Sequence, residues 1–197
     1  MRPWLRHLPN LISAIRIALV APIAWALANQ RLETAIVLFG AAAISDVGDG
    51  FLAKRFGWQS ALGAVLDPVA DKLLLATVLV TLVWLGLVPP WLMAAAVARD
   101  VIIVLGAVSY RYWIGPLDVR PSAVSKLNTL AQGAFIFAVI VRERFAVPPG
   151  WLIMALGALM FLTVTISGID YVLTYGRRAL RPAQPRTAAL RGGGRPT

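Results

Sequence analysis

Six apolar runs constrain this chain more than any other feature of its sequence. They cover residues 9–29, 33–56, 62–86, 90–113, 123–143 and 150–176. A helix of about 20 residues is long enough to cross a hydrocarbon core roughly 30 Å thick. Hydrophobic residues make up 59% of the chain and charged residues 14%, which is typical of a polytopic membrane protein. The sequence therefore predicts an all-α membrane protein, a bundle of six transmembrane helices.

The distribution of Lys and Arg predicts how this bundle is oriented. One set of helix ends carries Arg2, Arg6, Lys54, Arg55, Arg111, Arg120, Lys126, Arg177 and Arg178, whereas the other carries Arg31, Arg142 and Arg144. Because cytoplasmic loops are enriched in basic residues, both termini are predicted to be cytoplasmic. The first residues lack the Ser- and Arg-rich pattern of a transit peptide, which favours a bacterial inner (plasma) membrane.

Residues 1–176 are predicted to form one transmembrane domain, and residues 177–197 a basic, disordered tail rich in Arg, Pro and Gly. The net charge of +10 points first to anionic lipid. No interleaving of basic and aromatic residues supports nucleic-acid binding, so no nucleic-acid partner is expected. The sequence contains no cysteine, which excludes disulfides and thiolate metal sites.

Four carboxylates inside two neighbouring apolar runs are the strongest functional signal. Asp46 and Asp49 are three residues apart and Asp67 and Asp71 four apart, so each pair shares one helix face. An ionised side chain in the bilayer costs about 2.5–3.5 kcal/mol, so these acids need a common compensation. Helices joined by a short loop are antiparallel neighbours, and their acidic faces can meet. An all-oxygen pocket suits Mg²⁺ or Mn²⁺, and four acids balance two such cations.

Small and basic residues accompany the acids. Gly50, Ala53 and Gly63 lie on the acidic faces and let a bulky ligand, or the partner helix, come close to the backbone. Lys54 follows at the rim, where its ammonium can bind a phosphate. The residues by themselves also leave open a set of structural ion pairs or an ion path through the membrane.

These positions resemble the signature of the CDP-alcohol phosphatidyltransferase family, D-x2-D-G-x2-A-R-x8-G-x3-D-x3-D. The matching residues are Asp46, Asp49, Gly50, Ala53, Lys54, Gly63, Asp67 and Asp71, with every spacing kept. Lys54 departs from the pattern, since the family usually has Arg there; the charge is kept, but bidentate recognition of phosphate is weakened. The resemblance covers residues 8–176.

The resemblance implies a divalent-metal-dependent enzyme that transfers a phosphatidyl group from CDP-diacylglycerol to an alcohol and releases CMP. By this resemblance Asp46, Asp49, Asp67 and Asp71 are ligands of a two-metal site for Mg²⁺ or Mn²⁺, and Asp71 is also the general base. Gly50, Ala53, Lys54 and Gly63 then line the donor site. Family members are often homodimers, so a homodimer is implied by analogy only.

The acceptor is suggested by a second stretch, Ser125-Lys126-Leu127-Asn128-Thr129. It resembles the CMP-forming cardiolipin synthases of the family, whereas phosphatidylglycerophosphate synthases tend to have Gly-Lys-x-Lys-Thr. Phosphatidylglycerol is therefore the expected acceptor and glycerol-3-phosphate the alternative. Candidate contacts for the acceptor or its phosphate are Arg16, Arg99, Lys126 and Asn128. An ion-coupled transporter is the non-enzyme alternative, disfavoured because the sequence shows no inverted repeat.

Overall fold

The computed structural model is all-helical. It describes the backbone of residues 8–56, 63–113 and 123–179, and the side chains of residues 11–46, 66–106, 108–109, 112 and 124–173. The helices are α1 (Leu8–Ala28), α2 (Leu32–Phe56), α3 (Gly63–Trp84), α4 (Pro90–Trp113), α5 (Ala123–Phe145) and α6 (Gly150–Ala179). The predicted six helices are confirmed, and each begins and ends within three residues of its apolar run.

The helices fall into two groups of three. Helix α1 packs against both α2 and α3, whereas α6 packs against both α4 and α5. The two groups meet where α2 contacts α5 and, over smaller areas, where α3 contacts α4 and α5. Short loops make successive helices antiparallel. The start of α1, the end of α2 and the start of α3 consequently lie at one end of the bundle, which is where the predicted acids are.

The apolar core fills the half of the bundle away from those acids. Its largest fully buried apolar side chains are Ile23, Leu27, Leu79, Leu82, Ile136, Ile140 and Met160. Small residues bring the helices close together: Ala35 and Ala42 of α2 are fully buried, and a Cβ added at Gly157 would lie 3.2 Å from Phe135 Cε2. Close packing of this kind stabilises helix association in lipid, where burial of apolar surface gives little driving force.

The outer surface is apolar along much of the helices. Ile44 on α2 is 74% exposed and Met154 on α6 is 72% exposed, and Leu105 and Leu130 are also exposed on α4 and α5. Within the part of the chain that the structure describes, three helices are long and apolar enough to cross a membrane, over Leu11–Ala28, Val124–Phe145 and Gly150–Leu173. Together these features make the chain a multi-pass membrane protein.

Several finer predictions about the chain stay predictions. The crossing of the membrane by α2, α3 and α4 rests on the sequence. The cytoplasmic location of the termini is likewise untested. The predicted domain boundary after residue 176 lies within α6, which continues to Ala179. The tail from residue 180 lies outside the described residues.

Two helix ends share the same C-terminal hydrogen-bond pattern but differ in the residue that occupies its left-handed position. After α1, Gln30 N–H donates to Leu27 O and Arg31 N–H donates to Ala26 O, with φ of 58° at Gln30. After α3, Gly86 and Leu87 make the equivalent bonds, with φ of 74° at Gly86. Glycine adopts this conformation without a Cβ penalty, whereas glutamine does not.

Gln30→Gly is therefore expected to stabilise the protein by about 1 kcal/mol, and Gly86→Ala to destabilise it by a similar amount. No atom lies within 4 Å of a Cβ added at Gly86, so the cost there is conformational rather than steric. Denaturation midpoints of the two variants in one detergent measure the difference. Shifts of the same sign in both variants would contradict this account of the helix ends.

Candidate functional site

Helix α1 brings acids of α2 and α3 together through two buried polar side chains. Arg16 is 1% exposed, and its Nη1 lies 2.9 Å from Asp46 Oδ1 on α2 and also donates to Asp71 Oδ1 on α3. Ser13, one turn earlier on α1, is fully buried and donates through Oγ to Asp67 Oδ1. We call these five residues the carboxylate cluster.

The local sequence explains why these side chains converge. Ser13 and Arg16 are three residues apart and Asp67 and Asp71 are four apart, so each pair lies on one helix face. A guanidinium buried to this degree is tolerated only when acids compensate its charge. The mutual requirement of Arg16, Asp46 and Asp71 therefore fixes how α1, α2 and α3 are rotated about their axes.

The predicted acids are only partly within the described side chains. Asp46 and Asp71 contact Arg16 of α1, and Asp67 contacts Ser13 of the same helix. Asp49, Gly50, Ala53 and Lys54 belong to α2 and Gly63 begins α3, but their side-chain surroundings lie outside the described residues. Their assigned roles stay predictions.

The donor set of the cluster fits a hard divalent cation. Asp46, Asp67 and Asp71 offer carboxylate oxygens, the type of ligand atom that Mg²⁺ and Mn²⁺ prefer. Among the described side chains, which do not include Asp49, no three His, Cys, Asp or Glu residues form a group arranged to hold an ion. Oxygens of Asp46 and Asp71 are instead turned to the guanidinium of Arg16.

A second polar cluster surrounds Arg99 of α4, which is 5% exposed. Its Nη2 donates to Ser125 Oγ on α5 at 2.8 Å, and its Nε donates to Ser167 Oγ on α6 at 3.2 Å. Its Nη1 lies 2.7 Å from Asp100 Oδ1, and Lys72 of α3 pairs with the same carboxylate. We call Lys72, Arg99, Asp100, Ser125 and Ser167 the Arg99 cluster.

The Arg99 cluster lies beside the carboxylate cluster and has the opposite charge. Lys72 directly follows Asp71 on α3, so adjacent residues of one helix serve the two clusters. One acid against two bases leaves the described members with a net charge of +1, because only Asp100 is negative. A surplus of positive charge inside a membrane bundle attracts an anion such as a phosphate.

Close approach of α4 and α6 supports this cluster. A Cβ added at Gly168 would lie 3.8 Å from Arg99 Cγ, so the aliphatic part of the arginine packs on the backbone of α6. At Gly106 an added Cβ would lie 2.7 Å from Tyr171 Cε1, and no larger residue fits there without moving the ring. The close approach of α4 and α6 therefore requires glycine at position 106, whereas a Cβ at position 168 would make an ordinary contact.

Of the two remaining predicted residues, one is buried and one is exposed. Asn128 is 3% exposed, and its Oδ1 accepts a hydrogen bond of 3.1 Å from Thr163 Oγ1 on α6. Gln132, also buried, continues the polar face of α5 that begins at Ser125. Lys126 lies on the exposed side of α5. The structure therefore brings Asn128, but not the Lys126 side chain, onto the face that carries Ser125.

Sequence reasoning missed Ser13, Ser125, Ser167 and Thr163 as polar partners. The signal was available as spacing: Ser13 precedes Arg16 by three residues, and Thr163 precedes Ser167 by four. In the structure Arg16 contacts Asp46 and Asp71, and the phosphate contact expected for it stays a prediction. On the side of α3 opposite to Asp67 and Asp71, Val69 and Leu73 form an apolar flank, each 45% exposed.

Residues 6–167 match the family model described as CDP-alcohol phosphatidyltransferase. The chain belongs to the CDP-alcohol phosphatidyltransferase family. The match confirms the resemblance first seen in the signature residues of α2 and α3, and it extends from α1 to Ser167 of the Arg99 cluster.

Named relatives within this family fall into two groups. The chain is 28% identical over 195 residues to "Cardiolipin synthase (CMP-forming)" of Homo sapiens, which covers 91% of this chain and 64% of that protein. It is 32% identical over 194 residues to "CDP-diacylglycerol--glycerol-3-phosphate 3-phosphatidyltransferase 1, chloroplastic" of Oryza sativa subsp. japonica, covering 89% of this chain and 58% of the relative. It is also 32% identical over 155 residues to "CDP-diacylglycerol--glycerol-3-phosphate 3-phosphatidyltransferase" of Pectobacterium atrosepticum, covering 70% of this chain and 79% of the relative.

The chain thus spans less than two thirds of the length of the human and rice relatives. Identity to the two groups differs by only a few per cent, so similarity alone does not select an acceptor alcohol.

Ser167→Ala is expected to destabilise the protein by about 1–3 kcal/mol, because a buried guanidinium loses a hydroxyl partner. Thr165→Ala on the same helix is the matched control, since Thr165 is exposed and its hydroxyl donates to Phe161 O of its own helix. Unfolding midpoints in detergent measure both effects. Equal, small shifts would show that Ser167 is dispensable for the Arg99 cluster.

Proposed function

We propose that the protein transfers a phosphatidyl group from CDP-diacylglycerol to phosphatidylglycerol, giving cardiolipin and CMP. The observation that carries the proposal is the meeting of Asp46 and Asp71, from two antiparallel helices, at one guanidinium nitrogen within a family signature. The ion-coupled transporter, which the residues alone left open, finds no support in the family match.

The four acids Asp46, Asp49, Asp67 and Asp71 are proposed to hold two divalent cations, Mg²⁺ or Mn²⁺. Bound there, the metals would neutralise the diphosphate of the donor and the charge that develops on the departing CMP. Gly50, Ala53 and Gly63 leave room for the nucleotide against the helix backbone, and Lys54 supplies a positive charge to a phosphate. This assignment to the donor rests on the signature.

The chain's own residues account for the proton and the geometry of the transfer. The acceptor hydroxyl oxygen forms a bond to the β-phosphorus as the bond from that phosphorus to the bridging oxygen breaks, and CMP leaves with the bridging oxygen. Asp71 is proposed to take the hydroxyl proton. Proximity of this carboxylate to the bound acceptor compensates for the weak basicity of an aspartate.

The choice of phosphatidylglycerol rests on the charge next to the Arg99 cluster. A phosphodiester carries one negative charge, which matches the surplus of +1 among Lys72, Arg99 and Asp100. Asn128, one turn after Ser125, is neutral, whereas a free dianionic phosphate is held better by a further cation. Glycerol-3-phosphate is the alternative acceptor, and its support is the similarity to relatives that are named for that reaction. Lys126 remains a proposed phosphate contact at the rim.

The active site is proposed to face the cytoplasm in a bacterial plasma membrane. The support is the excess of Lys and Arg at the helix ends on the side of the carboxylate cluster. The homodimer expected from the resemblance stays a prediction.

The deciding experiment offers purified protein both acceptors. CDP-diacylglycerol and Mn²⁺ are supplied with either phosphatidylglycerol or glycerol-3-phosphate, and CMP and the lipid product are measured. We expect cardiolipin from phosphatidylglycerol and no CMP after chelation of the metal. Product from glycerol-3-phosphate alone would overturn the acceptor but keep the reaction class, and no CMP with either acceptor would overturn the proposal.

Asp71→Asn is expected to lower the rate of CMP release by at least about 100-fold, since the amide cannot accept the proton. The variant should remain folded because Arg16 keeps its contact with Asp46. Glu33→Gln is the control. Glu33 lies at the end of α2 opposite to the carboxylate cluster, and its exposed carboxylate pairs with Arg144 of α5. Wild-type turnover by the Asp71 variant would refute the general-base assignment.

Asn128→Lys is expected to raise the preference for glycerol-3-phosphate over phosphatidylglycerol by about tenfold, the worth of one charge-assisted hydrogen bond. Thr129→Lys adds the same charge on the exposed face of α5 and should leave the ratio unchanged. The ratio of the two initial rates is the measurement. An unchanged ratio in a folded Asn128 variant would exclude this position from acceptor choice.

A further inference from the structure

Arg16 occupies the place where the proposed metal ligands meet. The guanidinium is 1% exposed, and a single nitrogen, Nη1, contacts Oδ1 of Asp46 and Oδ1 of Asp71. These oxygens belong to two of the four acids assigned above to the divalent cations. The guanidinium of Arg16 therefore occupies carboxylate oxygens that a divalent cation would need as ligands.

We propose that Arg16 is an exchangeable counter-cation, which holds Asp46 and Asp71 together until a divalent cation displaces its guanidinium from their oxygens. The proposal rests on the metal site of the proposed function and is independent of the acceptor alcohol.

The electrostatics of the cluster favour exchange over coexistence. Asp46 and Asp71 are 44% and 27% exposed, whereas Arg16 is 1% exposed. Two carboxylates from different helices repel one another, and the buried guanidinium between them offsets that repulsion while it gains the charge that its own burial requires. A divalent cation on the same oxygens would lie within a few ångströms of Nη1, and like charges at that distance repel strongly in a medium of low dielectric. Metal entry consequently requires the guanidinium to move, and the metal affinity is lowered by the energy of the contacts that it gives up.

Asp67 differs from the other two acids in this respect. Its described partner is the hydroxyl of Ser13, which is neutral and does not repel a cation. A carboxylate oxygen can ligate a metal while it still accepts such a hydrogen bond. The carboxylate cluster thus contains one partner that must leave and one that can stay. A guanidinium released from Asp46 and Asp71 is then available to a phosphate of a bound substrate, and a contact with the phosphate of the acceptor is the role first expected for Arg16.

The test measures Mn²⁺ binding without any lipid substrate, by the electron paramagnetic resonance signal of free Mn²⁺ in titrations of detergent-purified protein. Arg16→Gln is expected to bind Mn²⁺ about tenfold or more tightly than the wild type, because a competing charge is gone. Its melting temperature without metal should fall, since two acids lose their cation, and the rise on adding Mn²⁺ should exceed that of the wild type.

Arg144→Gln is the control for removal of one arginine charge. Arg144 is exposed and pairs with Glu33, which lies 13 residues or roughly 20 Å along α2 from Asp46. Its Mn²⁺ affinity should equal that of the wild type. An equal gain in Mn²⁺ affinity in both variants would show that the effect comes from net charge alone, and it would overturn the proposed exchange.

A second comparison covers the case in which Arg16→Gln does not fold alone. Asp71→Asn is compared with the double variant Arg16→Gln/Asp71→Asn, in which one acid fewer is left unpaired. The double variant is expected to bind Mn²⁺ more tightly than Asp71→Asn. Unchanged or weaker binding on loss of Arg16 would overturn the proposal and make the arginine a positioning residue. If neither the wild type nor any variant binds Mn²⁺ saturably, the metal site itself is overturned. A wrong acceptor assignment, in contrast, would leave this titration unaffected.

Discussion

The buried positive charge of Arg16 is the constraint on which the arrangement of the first three helices depends. A guanidinium that is 1% exposed inside an apolar bundle needs acids on more than one side, and α2 and α3 each supply one. This need fixes the rotation of α1, α2 and α3 together. The orientation of the signature face follows from it, so the same interaction that lets the helices associate also aims the proposed catalytic acids.

Helix α3 connects this group to the rest of the protein through adjacent residues. Asp71 contacts α1, whereas Lys72 contacts Asp100 of α4 and so joins the network around Arg99. A turn of about 100° between consecutive residues is enough to serve two different helix groups. The proposed donor side, rich in acids, and the proposed acceptor side, with a positive surplus, are therefore held next to each other by the backbone of one helix.

The helices of this fold could be predicted from the sequence because the bilayer dictates their length, and all six begin and end close to the apolar runs. The position of Asp67 and Asp71 on one face of α3, and of Asp46 on the acidic face of α2, was predictable for a similar reason. Helical periodicity fixes which residues of one helix share a face. Partners on distant helices were not. The contacts of Arg16 with Asp71 and of Arg99 with Ser167 depend on the rotation of whole helices, which no local pattern contains. A lone arginine in an apolar run, such as Arg16, does not reveal which acids it meets.

The apolar flank of α3 has a consequence for how substrates reach the site. Val69 and Leu73 are half-exposed on the side of α3 opposite to Asp67 and Asp71, so hydrocarbon extends along this helix to the depth of the carboxylates. A lipid whose headgroup enters the carboxylate cluster can keep its acyl chains in the bilayer, and no hydrocarbon has to be transferred into water. Encounter between enzyme and lipid then becomes a search in two dimensions, governed by the surface density of the lipid in the membrane rather than by its concentration in solution.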